Sequence, residues 1–226
     1  MRRIFTILSC LLIGFAIFAQ KDVTKFLGIP VDGPKSEMIR KLKAKGFELN
    51  VVGGNEILNG SFNGADVNVY IITENGKVAR ITVCDDNMMN ETDIKIRFNR
   101  LCQQFNANGK YISMGDFTIP ENEDISYEMT VRNKRYQALF YQLPEGVTLE
   151  QIKTDVLSKA QAKYTPEELQ TLSDDAKIEL ITESLSELLD VVHNKPVWFM
   201  ITEHYGRYYI AMYYDNEYNR AQGEDL

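Results

Sequence analysis

The stretch "DVNVYIITENGKVARITVC", residues 66–84, constrains the fold more than any other. Apolar and polar residues alternate on both sides of Asn75-Gly76, the period of a strand with one buried face. An Asn-Gly pair tolerates the positive φ needed at both central positions of a type I′ turn, whose twist matches that of the strands it joins. A hairpin is expected here. The alternating "ILNGSFNG" just before it extends the expectation to a meander of three antiparallel strands from Glu56 to Cys84.

Helical periodicity brackets this meander. Met38, Ile39 and Leu42 form an apolar stripe on a helix predicted over residues 36–45, and Gly46 can take the left-handed conformation that ends it. Phe47 then returns to the core. After the strands, Thr92 is a candidate cap for a helix carrying Ile94, Phe98, Leu101, Cys102 and Phe105 on one face, closed by Asn108-Gly109. Residues 20–112 therefore read as one module of helix, meander and helix.

The second half repeats the ingredients in another order. "DISYEMTV" and "RYQALFYQL" are expected to form a hairpin around Asn133-Lys134, and "VWFMITE" and "RYYIAMYYD" another around Tyr205-Gly206. A helical insertion at about 148–194 lies between them. Thr148 with Gln151 reads as a capping box opening a helix with Leu149, Ile152, Val156, Leu157 and Ala160 on one face. Thr165 and Pro166 start a short helix, and Ser173 starts a third that Pro196 stops. Residues 113–226 thus read as a four-strand module. The expected fold class is α+β, two antiparallel helix-on-sheet modules that share an interface or one continuous sheet.

The first residues read as an address. Arg2 and Arg3 precede an uncharged apolar run from Ile4 to Phe18, and Ile17 and Ala19 suit the minus-three and minus-one positions of a signal peptidase. Cleavage is expected after Ala19, making 1–19 a signal peptide and the mature protein periplasmic or secreted. The run is shorter than the roughly 20 residues of a bilayer-spanning helix, so no transmembrane anchor is expected after cleavage. Losing the two arginines takes the net charge from −7 to −9. Such an acidic chain repels phosphate backbones, and nucleic acid is not an expected partner.

An oxidising compartment permits Cys84 and Cys102 to pair. Alternation, however, puts Cys84 with Arg80 and Thr82, away from the apolar face of Ala79, Ile81 and Val83, while Cys102 lies in a helix's apolar stripe. Two unpaired thiols are the favoured expectation and a disulfide the alternative.

At "FLGIPVDGPKSEMIRKLKAKGFEL", "LNGSFNGADVNVYI" and "GKVARITV" the chain resembles a group of small exported proteins of Bacteroidetes, which open with a G-I-P-[VI]-D-G turn, a helix ending K-G-F and a sheet beginning with a G-x-F-x-G motif. The resemblance covers about residues 26–112, and "YYDNEYNRAQGEDL" fits similar relatives. It implies export and a helix-plus-meander fold. It supplies no activity and no catalytic residue.

Few chemistries have their parts. His193 and His204 fall on different elements without a C-x-x-C or H-E-x-x-H, so neither metal nor cofactor is expected. Ser61 stands in G-S-F-N-G on a strand, not in the strand-to-helix elbow of a serine hydrolase. The acidic stretches "CDDNMMNETD" and "PENEDISYE" read as solvated loops. In "DNEYN" the glycine that calcium loops place sixth is replaced by Arg220.

The remaining local clue is the tyrosine-rich end. Alternation puts Tyr208, Ile210, Met212 and Tyr214 on a core face and Tyr209, Ala211 and Tyr213 on the other. Tyrosine presents a stiff ring with a polar tip, which suits both an ordinary sheet surface and a binding face. The leading expectation is an exported non-enzymatic binding or protein-interaction protein of the cell envelope, with Tyr209, Tyr213, Trp198 and Tyr205 as candidate ligand-binding residues. The alternatives are a small secreted hydrolase using paired carboxylates and a structural envelope-assembly factor.

Overall fold

The computed structural model describes residues 22–165 and 192–220, with isolated positions between them. The signal-peptide expectation, and most of the two helices expected from Thr165 and Ser173, lie outside the described residues.

A two-residue hairpin, β1 (Lys25–Phe26) and β2 (Ile29–Pro30), leads into helix α1 (Lys35–Ala44). The meander follows as β3 (Glu48–Val52), β4 (Asn55–Phe62), β5 (Ala65–Glu74) and β6 (Lys77–Asp85). Helix α2 (Glu91–Ala107), the short β7 (Tyr111–Ile112), helix α3 (Ile125–Arg132), β8 (Gln137–Gln142) and helix α4 (Leu149–Lys163) come next. The chain then returns through β9 (Pro196–His204) and β10 (Arg207–Asp215). Strands β3 to β10 make a single antiparallel sheet in the order β3-β4-β5-β6-β10-β9-β8-β7. The fold is α+β, as the periodicities require. The halves share one sheet because β10 pairs with β6, Tyr213 opposite Thr82 and Ala211 opposite Cys84.

Turn chemistry sets the registers. Asn75-Gly76, Asn63-Gly64 and Tyr205-Gly206 all take positive φ at both positions, the geometry of a two-residue hairpin. Gly46, at φ 95°, ends α1 as expected. Gly60 is required for space instead: a Cβ there would lie 2.6 Å from the Phe47 ring.

One core unites the molecule. Met38 and Leu42 from α1, the α2 stripe of Ile94, Phe98, Leu101, Cys102 and Phe105, and Ile125 of α3 join one cluster with the strand residues. Phe199 is its hub, with ring centroids 5.1 Å from Phe98, 5.6 Å from Phe105 and 6.0 Å from Phe140. Helices α1, α2 and α3 therefore share one face of the sheet, called the inner face.

Three sequence expectations are corrected. "DISYEMTV" is helix α3, not a strand, and no hairpin forms around Asn133-Lys134. Ile125 and Met129 also fit a helical period. Asp124 accepts from the Tyr127 N–H at 2.8 Å, Glu91 accepts from the Ile125 N–H at 2.9 Å, and Asn133 at φ 53° closes the helix. The strand β8 pairs with β9 and β7 instead. The cap of α2 is Asn90, not Thr92: its side chain accepts from the Asp93 N–H at 2.9 Å. The meander also gains β3, one strand more than expected. The capping box of α4 forms as read, with Thr148 and Gln151 each accepting from the other's backbone N–H.

Candidate functional site

The inner face is covered; the outer face is where the candidate residues meet. Alternation turns Tyr70, Thr82, Tyr213, Trp198 and Leu139 outward, and register aligns them as one row across five strands. A neighbouring row runs Asn59, Asn68, Cys84, Ala211 and Met200. Tyr209, two residues before Ala211, lies beyond it opposite Thr202. The large members of these rows are partly exposed, whereas Ala211 is only 3% exposed. Neighbouring side chains must therefore lean across it.

Trp198 and Tyr213, directly opposite in the register, stack at a centroid distance of 4.0 Å with 21° between ring planes. The Arg80 guanidinium lies 5.0 Å from the Tyr213 ring centre and 5.6 Å from that of Trp198. Asp215 locks the group. It accepts from Arg80 through both carboxylate oxygens, at 2.5 and 2.9 Å, and from the Trp198 indole N–H at 2.9 Å. This carboxylate is 1% exposed. Burying it is tolerable only because every one of these donors is placed. Tyr213 and Trp198 thus form a stack whose indole is held by the Asp215 carboxylate.

On strands β3, β4 and β5 of the same face, across β6 from the stack, runs an amide ladder. The Asn50 Nδ2 donates to Asn59 Oδ1 at 2.6 Å, Asn59 donates to Asn68, and Asn68 donates to Asp86 Oδ1 at 2.7 Å. Each asparagine keeps further donor and acceptor capacity after these bonds. The ladder was missed in the sequence although a signal existed: Asn50, Asn59 and Asn68 recur nine residues apart, one per strand.

The thiols are placed as alternation had them. Cys84 sits on the outer face and Cys102 is buried on the core side of α2, and both are free. Burial pushes the Cys84 thiol up to about 11, and the adjacent Asp85 adds to the shift; Cys102 rises to about 12 for the same leading reason. Neither is an activated nucleophile. Burial also raises the Tyr70 and Tyr213 phenols, so the face presents hydroxyls and not phenolates at neutral pH. Alkylation of Cys84 by iodoacetamide is accordingly expected to be slow at pH 8 and to accelerate up to about pH 11 in a Cys102→Ala background. A thiol whose proton is held more tightly in the folded state loses its contribution to stability as pH rises. From the ordinary 9.0 toward 11, a denaturant midpoint should fall, and fall less in Cys84→Ala.

Tyr205 stands apart from these rows, 91% exposed at the β9–β10 turn, with its ring edge-on to His204 at 4.4 Å. His193 has its Nδ1 within 3.1 Å of the Leu189 carbonyl and 3.0 Å of the Asp190 carbonyl. Among the described residues no group of three or more His, Cys, Asp and Glu side chains is placed to hold a metal ion, and no helix is long and apolar enough to cross a membrane.

At the free edge of the sheet, β3 pairs only with β4 and leaves Val51 and Val52 exposed. Elsewhere lies a cleft of about 880 Å³ between the β1–β2 turn, the β4–β5 turn, the end of α2 and the loop after β8.

No protein-family model matches the chain, and neither a curated protein nor a solved structure shows significant similarity to it.

Proposed function

We propose that the chain is an exported, non-enzymatic binding protein of the cell envelope, periplasmic or secreted after signal-peptide cleavage at Ala19, that engages a hydroxyl-rich glycan chain through the outer face of its sheet. The observation that carries this reading is the pairing of a pre-organised aromatic cluster with an amide ladder on the face opposite α1, α2 and α3. Tyr209, Tyr213 and Tyr70 offer ring surface and hydroxyls at little entropic cost. The ladder offers side-chain amides at the inter-strand spacing of about 4.8 Å, close to the rise of one pyranose ring along an extended glycan. Rigid placement by Asp215 reduces what binding must spend on ordering. The resemblance to exported Bacteroidetes proteins agrees with the address, and Trp198 supplies a built-in reporter.

The test is a thermal-shift and intrinsic-fluorescence screen of residues 20–226 against soluble peptidoglycan fragments and neutral oligosaccharides. A ligand of this class should raise the melting midpoint and change Trp198 emission, and both effects should vanish in Tyr209→Ala/Tyr213→Ala. Silence with glycans, together with an envelope protein crosslinked at the same face, would replace the glycan by a protein partner. Silence in both would remove the outer face from consideration.

A further inference from the structure

The cleft on the helix side carries a second, independent feature. Five two-residue turns in the described chain have positive φ at both positions, and in two of them asparagine leads, Asn63 at 51° and Asn75 at 50°. The β1–β2 turn has Leu27 there, at φ 52°. A bulky γ-branched side chain without a local hydrogen-bonding group is a poor choice for this conformation, and asparagine would relieve it. Leu27 is not carried into the core: it stays 36% exposed and lines the cleft. Backbone strain combined with an exposed apolar side chain at a concavity is a mark of a ligand clamp.

The rest of the lining is divided by chemistry. Phe62, Phe105 and Leu143 supply apolar wall. Three cations line the same cleft, and two are compensated: Lys25 pairs with Glu145 at 2.6 Å and Lys195 with Asp22 at 2.8 Å. Among the described residues Lys110 has no carboxylate partner. It stands next to Tyr111, whose ring packs edge-on against Phe105 at 4.7 Å. A site with one uncompensated cation beside an apolar wall, in the size range of small-molecule pockets, selects an anionic amphiphile. We infer that this cleft binds an amphiphile with an acyl-type chain and an anionic head, the chain against Leu27, Phe62 and Phe105 and the head at Lys110.

The inference does not rest on the outer face, and its test is separate. Residues 20–226 are titrated with cis-parinaric acid, whose emission rises in an apolar site, and the probe is then displaced with dodecanoate or with dodecyltrimethylammonium. Saturable binding is expected, displaced by the carboxylate and not by the cation. Lys110→Glu should weaken binding by about tenfold, the scale of one reversed charge near a partly exposed site. Leu27→Asn should weaken binding while raising the melting midpoint, an opposition that a merely structural leucine would not produce. Absence of saturable binding, equal displacement by the two amphiphiles, or a Leu27→Asn variant of lower stability and unchanged affinity would each overturn the assignment. Both substitutions are at exposed surface positions, so neither tests folding in place of binding.

Discussion

Asp215→Ala should destabilise the protein by about 2–4 kcal/mol and shift Trp198 emission to the red. Breaking a buried pair from one side typically costs about 3–5 kcal/mol because the surviving charge is left unpaired. Here the survivor, the Arg80 side chain, is 28% exposed and recovers part of its solvation, which lowers the expectation. The indole N–H also loses its acceptor, and the stack with Tyr213 loses one of its two anchors. Asp215→Asn keeps an acceptor for the indole and should lose less. Urea denaturation of the three proteins, followed by both tryptophan emission and far-ultraviolet dichroism, separates the two effects: dichroism reports the global loss, and emission of the folded state reports the loosened stack. An alanine variant with native stability and native emission would show that the clamp is not what orders the outer face.

Phe199→Ala is expected to cost about 3–5 kcal/mol, the range for truncating a fully buried aromatic side chain. Its ring is fully buried and meets Phe98 and Phe105 of α2 and Phe140 of β8. These neighbours belong to rigid elements on both sides, so the cavity has little room to collapse. Phe105 and Phe140 also stack on one another at 4.7 Å, and their mutual contact survives the truncation. Phe199→Leu retains most of the volume and should lose clearly less, which distinguishes a packing role from any other. Because Phe199 and Asp215 project to opposite faces and share no partner, their effects should add within about 0.5 kcal/mol.

Period and turn chemistry made much of this architecture legible. The alternation around Asn75-Gly76 and Tyr205-Gly206 specified β5, β6, β9 and β10, and the stripe from Ile94 to Phe105 specified α2, because local backbone geometry and one-sided burial act on the same residues there. The stretch Ile125–Arg132 failed for a physical reason. Ile125, Tyr127, Met129 and Val131 alternate like a strand, yet only Ile125 is buried, and the Asp124 cap with the Glu91 acceptor decides for the helix. The joining of β6 to β10 was not readable, since no local pattern states which strands pair across more than a hundred residues.

The candidate site divides in the same way. Tyr209 and Tyr213 could be put on the outer face from period two alone. The clamp by Asp215 and Arg80 could not, because it depends on the β6–β10 register and on the stack of Trp198. An aspartate at the end of a strand reads as a turn residue until that register is known. The amide ladder was half visible, in the nine-residue spacing of Asn50, Asn59 and Asn68. Leu27 was invisible, since nothing in "KFLGIP" announces a positive φ at the leucine.

The measurement that bears most directly on the outer-face account is a hydroxyl-radical footprint of residues 20–226 with and without a peptidoglycan fragment that raises the melting midpoint. Protection concentrated at Tyr209, Tyr213, Trp198 and Met200, with Tyr127 and Tyr218 unchanged, is the expected result. Protection confined to the cleft around Leu27 and Tyr111, or to the exposed β3 edge, would contradict it.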